Sequence, residues 1–172
     1  GLNLVLGYGG MVSFGHAAFV GVGAYCVGIS QFYGLFNGWV HILMALGACG
    51  VLGLFIGYLS LRTSGIYFIM ITLAFAQMLF FLFVSLEQFG GDDGMSIDRA
   101  EFIIIDLWEP LRLYYLIWAA LAFSSVLLMF IVRSRFGVVL QAIRSNESRV
   151  EAMGLAPLPF KITGYVISAM IC

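Results

Sequence analysis

The chain has 172 residues, of which 62% are hydrophobic and only 10% are charged. A soluble domain keeps about a quarter of its residues charged, so this composition argues against a soluble enzyme, a nucleic-acid-binding protein and a disordered chain. The formal net charge of −1 gives no electrostatic reason to expect an anionic partner. Residues 1–61 contain no Asp, Glu, Lys or Arg, and such a run indicates a lipid environment.

Both ends of the chain lie in apolar runs. The sequence opens with Gly1 rather than Met and stops at Cys172 within an apolar stretch. We therefore expect an internal fragment of a longer membrane protein. The first ten residues lack the basic region of a signal peptide, and the hydrophobicity recurs along the whole chain. A targeting segment does not explain that pattern.

Polar residues divide the chain into apolar segments of the length that crosses a bilayer. In chain order the segments are residues 14–31, 39–61, 66–86 and 113–132, with partial spans at 1–6 and 162–172. A helix of 20 residues rises about 30 Å, which matches the hydrocarbon thickness. Each segment must be helical, because an open strand in lipid leaves backbone groups unpaired. The sequence predicts an all-α, polytopic transmembrane helix bundle that forms a single domain over residues 1–172.

Residues 7–18, the glycine-rich segment, interrupt the first apolar region. They contain four glycines within nine residues, together with Ser13 and His16. Each glycine inside a helix costs about 1 kcal/mol relative to alanine, so we expect a helix break. Two interpretations stay open. The segment is either a simple turn or a re-entrant stretch whose backbone could bind both ends of a zwitterion in a polar cavity. His16 is either a packed, hydrogen-bonded residue or a substrate contact.

Small residues recur at helical spacing on two faces. Such residues let membrane helices approach closely, and Gly53 and Gly57 form a GxxxG pair. We interpret both faces as helix-packing surfaces. The first continues through Gly47 and Gly50, and the second consists of Ala17, Gly21, Ala24 and Gly28.

The two long polar connections carry opposite charge. Residues 87–109 hold seven acids and one base, whereas residues 133–161 hold five bases and two acids. Lys and Arg are retained on the cytoplasmic side of a membrane. We therefore expect the acidic segment, residues 87–110, to be an extracytoplasmic loop, and the basic segment, residues 133–161, to be a cytoplasmic loop.

The acidic segment contains the turn-like sequence Gly90-Gly-Asp-Asp-Gly94. Its carboxylates Asp92 and Asp93 do not have the spacing of a calcium-binding loop. The stretch is either a solvated turn or a contact surface for an external partner.

The basic segment has helical order. Val139, Ile143, Val150 and Met153 are predicted to share one face. We expect Asn146 to cap a second short helix that ends at Gly154. An amphipathic stretch of this kind either lies on the lipid surface or docks into the groove of a cytosolic subunit.

The apolar spans carry no catalytic pattern. They hold no paired carboxylates, no histidine cluster, no serine beside a base and no phosphate-binding glycine loop. Cys26, Cys49 and Cys172 match no zinc or redox spacing, and we interpret them as buried, inert thiols. We therefore expect no enzymatic activity, no cofactor and no metal. The lack of an ionisable relay also weighs against a proton-coupled pump.

Four sequence blocks carry a family resemblance. They are residues 3–19, 65–77, 90–94, and 136–146 together with 151–154. In this order they resemble the permease subunits of ATP-binding-cassette importers for branched-chain amino acids, the LivM-type branch in particular. The resemblance implies a multi-pass permease of a bacterial or archaeal cytoplasmic membrane that moves hydrophobic amino acids by alternating access. It implies as partners a second permease subunit, cytosolic ATPase subunits that hydrolyse the ATP, and a periplasmic substrate-binding protein.

The same resemblance implies roles for individual residues. The substrate path would include Gly7, Tyr8, Gly9, Gly10, Ser13, His16, Thr72 and Gln77. The ATPase would be coupled through Arg144, Asn146, Glu147, Arg149, Glu151 and Gly154, and the binding protein would meet Asp92 and Asp93. The Glu-Ala-Ala signature of other importer classes is only partly present, as Glu151-Ala-Met-Gly154.

Three alternatives stay open at this point. A urea, short-amide or sugar permease of the same superfamily would suit the uncharged interior equally well. A sodium-coupled secondary carrier or channel would need no ATPase. A structural subunit of a larger membrane complex would move no solute.

Overall fold

A computed structural model describes residues 1–33, 37–63, 65–86 and 110–172. Every regular element in these ranges is helical, which confirms the predicted all-α class. A short π-helix, Leu4–Tyr8, comes first. The α-helices that follow are α1 (His16–Phe32), α2 (Gly38–Ser60), α3 (Ile66–Val84), α4 (Pro110–Arg133), α5 (Arg135–Ser145), α6 (Glu147–Ala152) and α7 (Pro157–Ile171).

Within the described ranges, three helices are long and apolar enough to cross a membrane. They are α2, α3 and the part of α4 from Leu111 to Arg133, with mean hydropathies of 2.2, 2.3 and 2.3. Helix α1 is also apolar but has only 17 residues, which rise about 26 Å. The chain is therefore a multi-pass membrane protein, as its composition predicts.

Among the described helices, α4 packs mainly against the π-helix and α5. No part of its apolar span is buried inside the described part of the protein, and Trp118, Phe123 and Phe130 are all exposed. An apolar surface of this kind is stable against lipid chains or against another membrane helix, and not against water.

Helix α2 lies at the centre of the packing, between α1 and α7. A Cβ atom placed on Gly53 would lie 2.9 Å from the Ala169 Cβ, and one on Gly57 would lie 3.1 Å from the Tyr165 Cδ1. A side chain at Gly53 would force a shift of α7, and one at Gly57 would press on the Tyr165 ring, so the close approach of the two helices favours glycine at both positions. This confirms the packing interpretation of the pair.

The described contacts support the two small-residue faces in part. A Cβ atom on Gly50 would still contact Met170, at 3.6 Å from its Sδ, but one on Gly47 would meet nothing within 4 Å. On the second face, a Cβ atom on Gly21 would also meet nothing within 4 Å. Within the described residues no close contact requires glycine at Gly47 or Gly21, so the extension of the packing surfaces to these positions stays a prediction.

The basic segment contains α5 and α6, which are separated by Asn146, and ends in the first residues of α7. The Asn146 Oδ1 accepts a hydrogen bond from the Arg149 backbone N–H at 3.1 Å, and Gly154, with a φ of +83°, follows α6. Both observations confirm the predicted cap and helix end.

The predicted apolar face of the basic segment is only partly right. Ile143 and Val150 are buried, but Met153 is 65% exposed and the fully buried residue of α5 is Leu140. The extended backbone of Asn146, with φ −161° and ψ 102°, reorients the chain between the helices. A single helical period therefore does not run from α5 into α6.

The acidic segment, including Asp92 and Asp93, lies outside the described residues apart from Pro110, the first residue of α4.

Candidate functional site

The glycine-rich segment is a helix break inside the bundle. Its residues 9–15 join the π-helix to α1 without helical structure, as predicted. Gly10 has a φ of +67°, a conformation that glycine adopts without the steric cost of a side chain. The N–H groups of Gly9 and Met11 donate to the carbonyls of Leu4 and Val5, each at 3.0 Å. The start of the break is thus hydrogen-bonded to the first two residues of the π-helix.

Two hydrogen bonds between side chains connect the end of this segment to α7. The Ser13 Oγ lies 3.4 Å from the Tyr165 Oη, and the His16 Nε2 lies 2.9 Å from the Ser168 Oγ. Tyr165 and Ser168 are three residues apart, so they share a face of α7. All four side chains are at most 5% exposed. We call Ser13, His16, Tyr165 and Ser168 the polar cluster.

Aromatic rings enclose the polar cluster. The Tyr165 ring lies edge-on to His16, Phe19 and Phe68, at centroid distances of 5.4, 5.9 and 6.2 Å. Exclusion of water by these rings strengthens the hydrogen bonds inside the cluster. The His16 Nδ1 is buried and has no hydrogen-bond partner among the described residues. An unpaired buried nitrogen of this kind costs about 1 to 3 kcal/mol, so it favours a further polar group beside it.

Thr72 of α3 packs directly against the break. A Cβ atom on Gly15 would lie 3.1 Å from the Thr72 carbonyl oxygen, so a side chain there would press on the α3 backbone and glycine eases this approach. The Thr72 Oγ1 donates to the Ile69 carbonyl at 2.9 Å, and the side chain is fully buried. In this conformation Thr72 supports the break and its hydroxyl is already engaged.

Gln77 lies on a different surface from Thr72. It is exposed and lines a groove of about 360 Å³ between α1 and α3. Ala17 and Gly21 form one wall of this groove, and Phe80 and Phe83 line the other. The structure therefore does not bring Gln77 together with Ser13 and His16.

A cavity of about 410 Å³ lies beside the glycine-rich segment, and it is large enough for a small solute. Its wall contains residues of the helix break together with positively and negatively charged side chains. The Glu147 Oε1 and the Lys161 Nζ form an ion pair at 2.6 Å. The lining residues are Gly9, Gly10, Met11, Val12, Leu61, Thr63, Gly65, Ile66, Phe68, Ile69, Ile143, Arg144, Glu147 and Lys161.

Arg144 joins the basic segment to the glycine-rich segment. Its Nη1 donates a hydrogen bond to the Gly7 carbonyl, 137 residues away in the sequence. A Cβ atom on Gly10 would lie 2.7 Å from the Arg144 Cγ, so the stem of the arginine lies directly against the break. Two groups of residues with separately predicted roles are therefore in contact.

The other residues predicted to couple the ATPase divide into two groups. Asn146 and Glu147 make contacts within the chain, through the helix cap and the ion pair. Arg149, Glu151 and Gly154 are exposed on or just after α6, where their side chains or backbone are open to a partner.

Tyr8 lies apart from the polar cluster. It is half-buried and lines a third cavity, of about 430 Å³, between the π-helix and α4. Asn3, Ser125 and Arg133 supply polar groups of that cavity.

Tyr165 and Ser168 were not predicted as site residues from the sequence. A signal for them was present, because a tyrosine and a serine three residues apart form a polar pair on one face of the apolar second half of α7. Metal binding has no comparable signal. Among the residues that the structure describes, no three His, Cys, Asp or Glu side chains are grouped closely enough to hold a metal ion.

Comparison with known proteins gives a consistent result. The profile of the family described as branched-chain amino acid transport system, permease component, matches residues 1–172. The high-affinity branched-chain amino acid transport system permease proteins LivM of Salmonella typhimurium and Escherichia coli are each 27% identical over 196 residues. The alignments cover 98% of this chain and 46% of each relative, so the chain spans about half the length of these relatives. No solved structure matches the chain significantly.

Proposed function

Because the chain belongs to the family of branched-chain amino acid transport permease components, we propose that it forms part of the membrane-spanning subunit of an ATP-binding-cassette importer. The importer moves branched-chain, hydrophobic amino acids across a bacterial or archaeal cytoplasmic membrane by alternating access. The subunit pairs with a second permease, and cytosolic partner subunits hydrolyse the ATP. The LivM relatives, which are permease proteins of high-affinity branched-chain amino acid transport systems, support this assignment.

One observation carries the proposal: the helix break at residues 9–15 lies between the 410 Å³ cavity and the polar cluster. Non-helical backbone at membrane depth is stable only where it is buried in protein or lines a cavity. Transporters use interrupted helices of this kind to bind substrate through backbone groups. In such a site, backbone N–H and C=O groups that are not bonded within the chain can bind the carboxylate and the ammonium of an amino acid without a charged side chain. The N–H groups of Gly9 and Met11 are already engaged.

The cavity also offers an apolar wall. Met11, Ile66 and Ile69 lie on its lining, where they can contact a branched aliphatic side chain. A hydrophobic pocket separates Ile from Val by only about 1 to 3 kcal/mol. The proposal therefore names the class of branched-chain amino acids rather than one member.

Two surfaces are assigned to partners. We assign the exposed residues Arg149, Glu151 and Gly154 of the basic segment to the contact with the cytosolic ATPase. Asp92 and Asp93 of the acidic segment are assigned to the periplasmic substrate-binding protein, through their charge. ATP-driven closure would then act on the helix bundle from one side, and the loaded binding protein from the other.

Uptake by the whole complex tests the proposal. The full-length subunit is reconstituted in vesicles with the second permease, the ATPase subunits and the binding protein, and uptake of radiolabelled leucine is measured. We expect uptake that requires ATP and is competed by valine and isoleucine. A matched complex with a hydrolysis-deficient ATPase should show none. Competition by urea or a sugar instead, or uptake driven by a sodium gradient without ATP, would contradict the proposal.

A further inference from the structure

The bond from Arg144 to the Gly7 carbonyl connects a helix of the basic segment to the glycine-rich segment. We propose that Arg144 is a positioning residue that fastens the glycine-rich segment to α5, so that a movement of the basic segment moves the helix break. Arg144 is exposed, but its guanidinium is bonded within the chain, and we assign its role to that contact and not to the ATPase surface. This inference rests on the proposed function, since it names the link between the ATPase-facing loop and the substrate path.

The acceptor is a group that needs an external donor. Gly7 lies in the last turn of the π-helix Leu4–Tyr8, where carbonyl groups lack the partners that a continuing helix would supply. A guanidinium is always charged and presents its donors in a rigid plane. Arg144 therefore holds one defined point of the backbone immediately before the break.

The stem of the arginine fits the break as well. Gly10 has no side chain, and its φ of +67° disfavours one, so the Arg144 Cγ can lie against the backbone. Arg144, Gly9 and Gly10 all line the 410 Å³ cavity. A shift of the guanidinium would change the shape of this cavity at the wall that Gly9 and Gly10 form.

Helix α5 packs against α7 and the π-helix, so a movement of α5 would displace both. Leu140 and Ile143 of α5 are buried, and a Cβ atom on Gly164 of α7 would lie 3.5 Å from a methyl carbon of Leu140. Tyr165, which follows Gly164, lies 3.4 Å from Ser13 at the other end of the break. The helix break is therefore held at one end by Arg144 of α5 and at the other end by Tyr165 of α7, a helix that packs against α5.

Thiol labelling of the full-length protein tests the attachment directly. The substitution Met11→Cys introduces a reporter thiol at a buried position within the break, and Cys26 and Cys172 are replaced by serine. Arg144→Gln and Arg144→Lys are compared with Arg135→Gln, which makes the same change at an exposed arginine on the same helix. Cys49, buried on α2, stays in place as an internal control for intact packing.

We expect Arg144→Gln to raise the labelling rate of the reporter thiol at least fivefold, Arg144→Lys to raise it less, and Arg135→Gln to leave it unchanged. Cys49 should stay slow in all three variants. If Cys49 also reacts quickly in Arg144→Gln, the comparison rests on Arg144→Lys, for which at least a twofold rise is expected. The inference is overturned if the labelling rate of the reporter thiol is unchanged in an Arg144 variant whose Cys49 still reacts slowly.

Measurements on the assembled complex distinguish a positioning role of Arg144 from a role in docking the ATPase. We expect Arg144→Gln to co-purify with the ATPase and to keep ATP hydrolysis, while leucine uptake per ATP falls about tenfold. Loss of co-purification with normal labelling of the reporter thiol would place Arg144 at the ATPase surface and overturn the inference. If the unmodified complex moves no branched-chain amino acid, the proposed function fails. The labelling comparison still decides the attachment on its own in that case.

Discussion

The His16 Nε2 lies 2.9 Å from the Ser168 Oγ and so joins the first residue of α1 to α7 across 152 positions of the sequence. The neighbouring pair, Ser13 and Tyr165, crosses the same boundary. Apolar packing alone lets two membrane helices slide or rotate, whereas a buried polar pair fixes their register. The polar cluster therefore sets where the helix break sits relative to α7.

Replacement of Ser168 by alanine should destabilise the full-length protein by about 1 to 3 kcal/mol, because the His16 Nε2 loses its partner and the Nδ1 has none among the described residues. The free energy of unfolding is measured by denaturant titration in detergent micelles. Ser124→Ala is the matched control, since the Ser124 hydroxyl donates to the Leu121 carbonyl of its own helix. Equal effects of the two substitutions would contradict a role for the bond between His16 and Ser168.

Substitution of Gly53 by leucine should separate α2 from α7, since the new side chain would collide with Ala169. Overpacking of this kind costs about 1 to 3 kcal/mol. Thermal unfolding of the full-length protein measures the loss. Gly47→Leu serves as the control, because a Cβ atom there meets nothing within 4 Å. The packing account fails if Gly47→Leu is as destabilising as Gly53→Leu.

Removal of the helix cap by Asn146→Ala should loosen α6, because the Arg149 N–H loses its side-chain acceptor. A lost cap costs about 1 kcal/mol, which corresponds to roughly fivefold faster local opening. The rate of amide hydrogen exchange at Arg149 measures this local opening of α6. Asn146→Asp should keep the protection, since a carboxylate accepts the same bond. Unchanged exchange in Asn146→Ala would show that the cap does not hold α6.

Reversal of charge at Glu147 or Lys161 should lower uptake, because like charges would then face each other across the wall of the cavity. A double variant in which Glu147 and Lys161 exchange their charges should recover at least half of the lost uptake. Full recovery is not expected, since a lysine at the start of α6 opposes the helix dipole. Uptake by the reconstituted complex gives the readout. Failure of the double variant to recover would indicate that Glu147 contacts another subunit and not Lys161.

Positions of the membrane helices can be predicted closely from the sequence. It predicts spans at residues 66–86 and 39–61, and the structure has α3 at Ile66–Val84 and α2 at Gly38–Ser60. Hydrocarbon excludes charge over its whole thickness, so polar residues mark the ends of each span. Helix α7 begins at Pro157, five residues before the apolar segment predicted at residues 162–172. Its first turns include Lys161, whose charge is paired with Glu147.

Local features of the candidate site are also predictable, and distant contacts are not. The cap at Asn146 depends on residues within one turn, so the sequence carries it. The contact of Arg144 with Gly7 and that of Ser13 with Tyr165 span more than 130 positions each. Uniformly apolar helices give no periodic signal that says which faces meet, and one sequence alone does not reveal such pairs.

The importer proposal depends on the orientation of the chain in the membrane, with the acidic segment outside and the basic segment in the cytoplasm. Labelling of intact cells tests this orientation most directly. One variant carries Asp93→Cys and another carries Ser145→Cys at an exposed position, with the native cysteines replaced in both. Both variants are exposed to a thiol reagent that does not cross membranes. The account predicts that the Asp93→Cys variant reacts in intact cells and that the Ser145→Cys variant reacts only after the membrane is opened. Labelling of Ser145→Cys but not of Asp93→Cys in intact cells would contradict it.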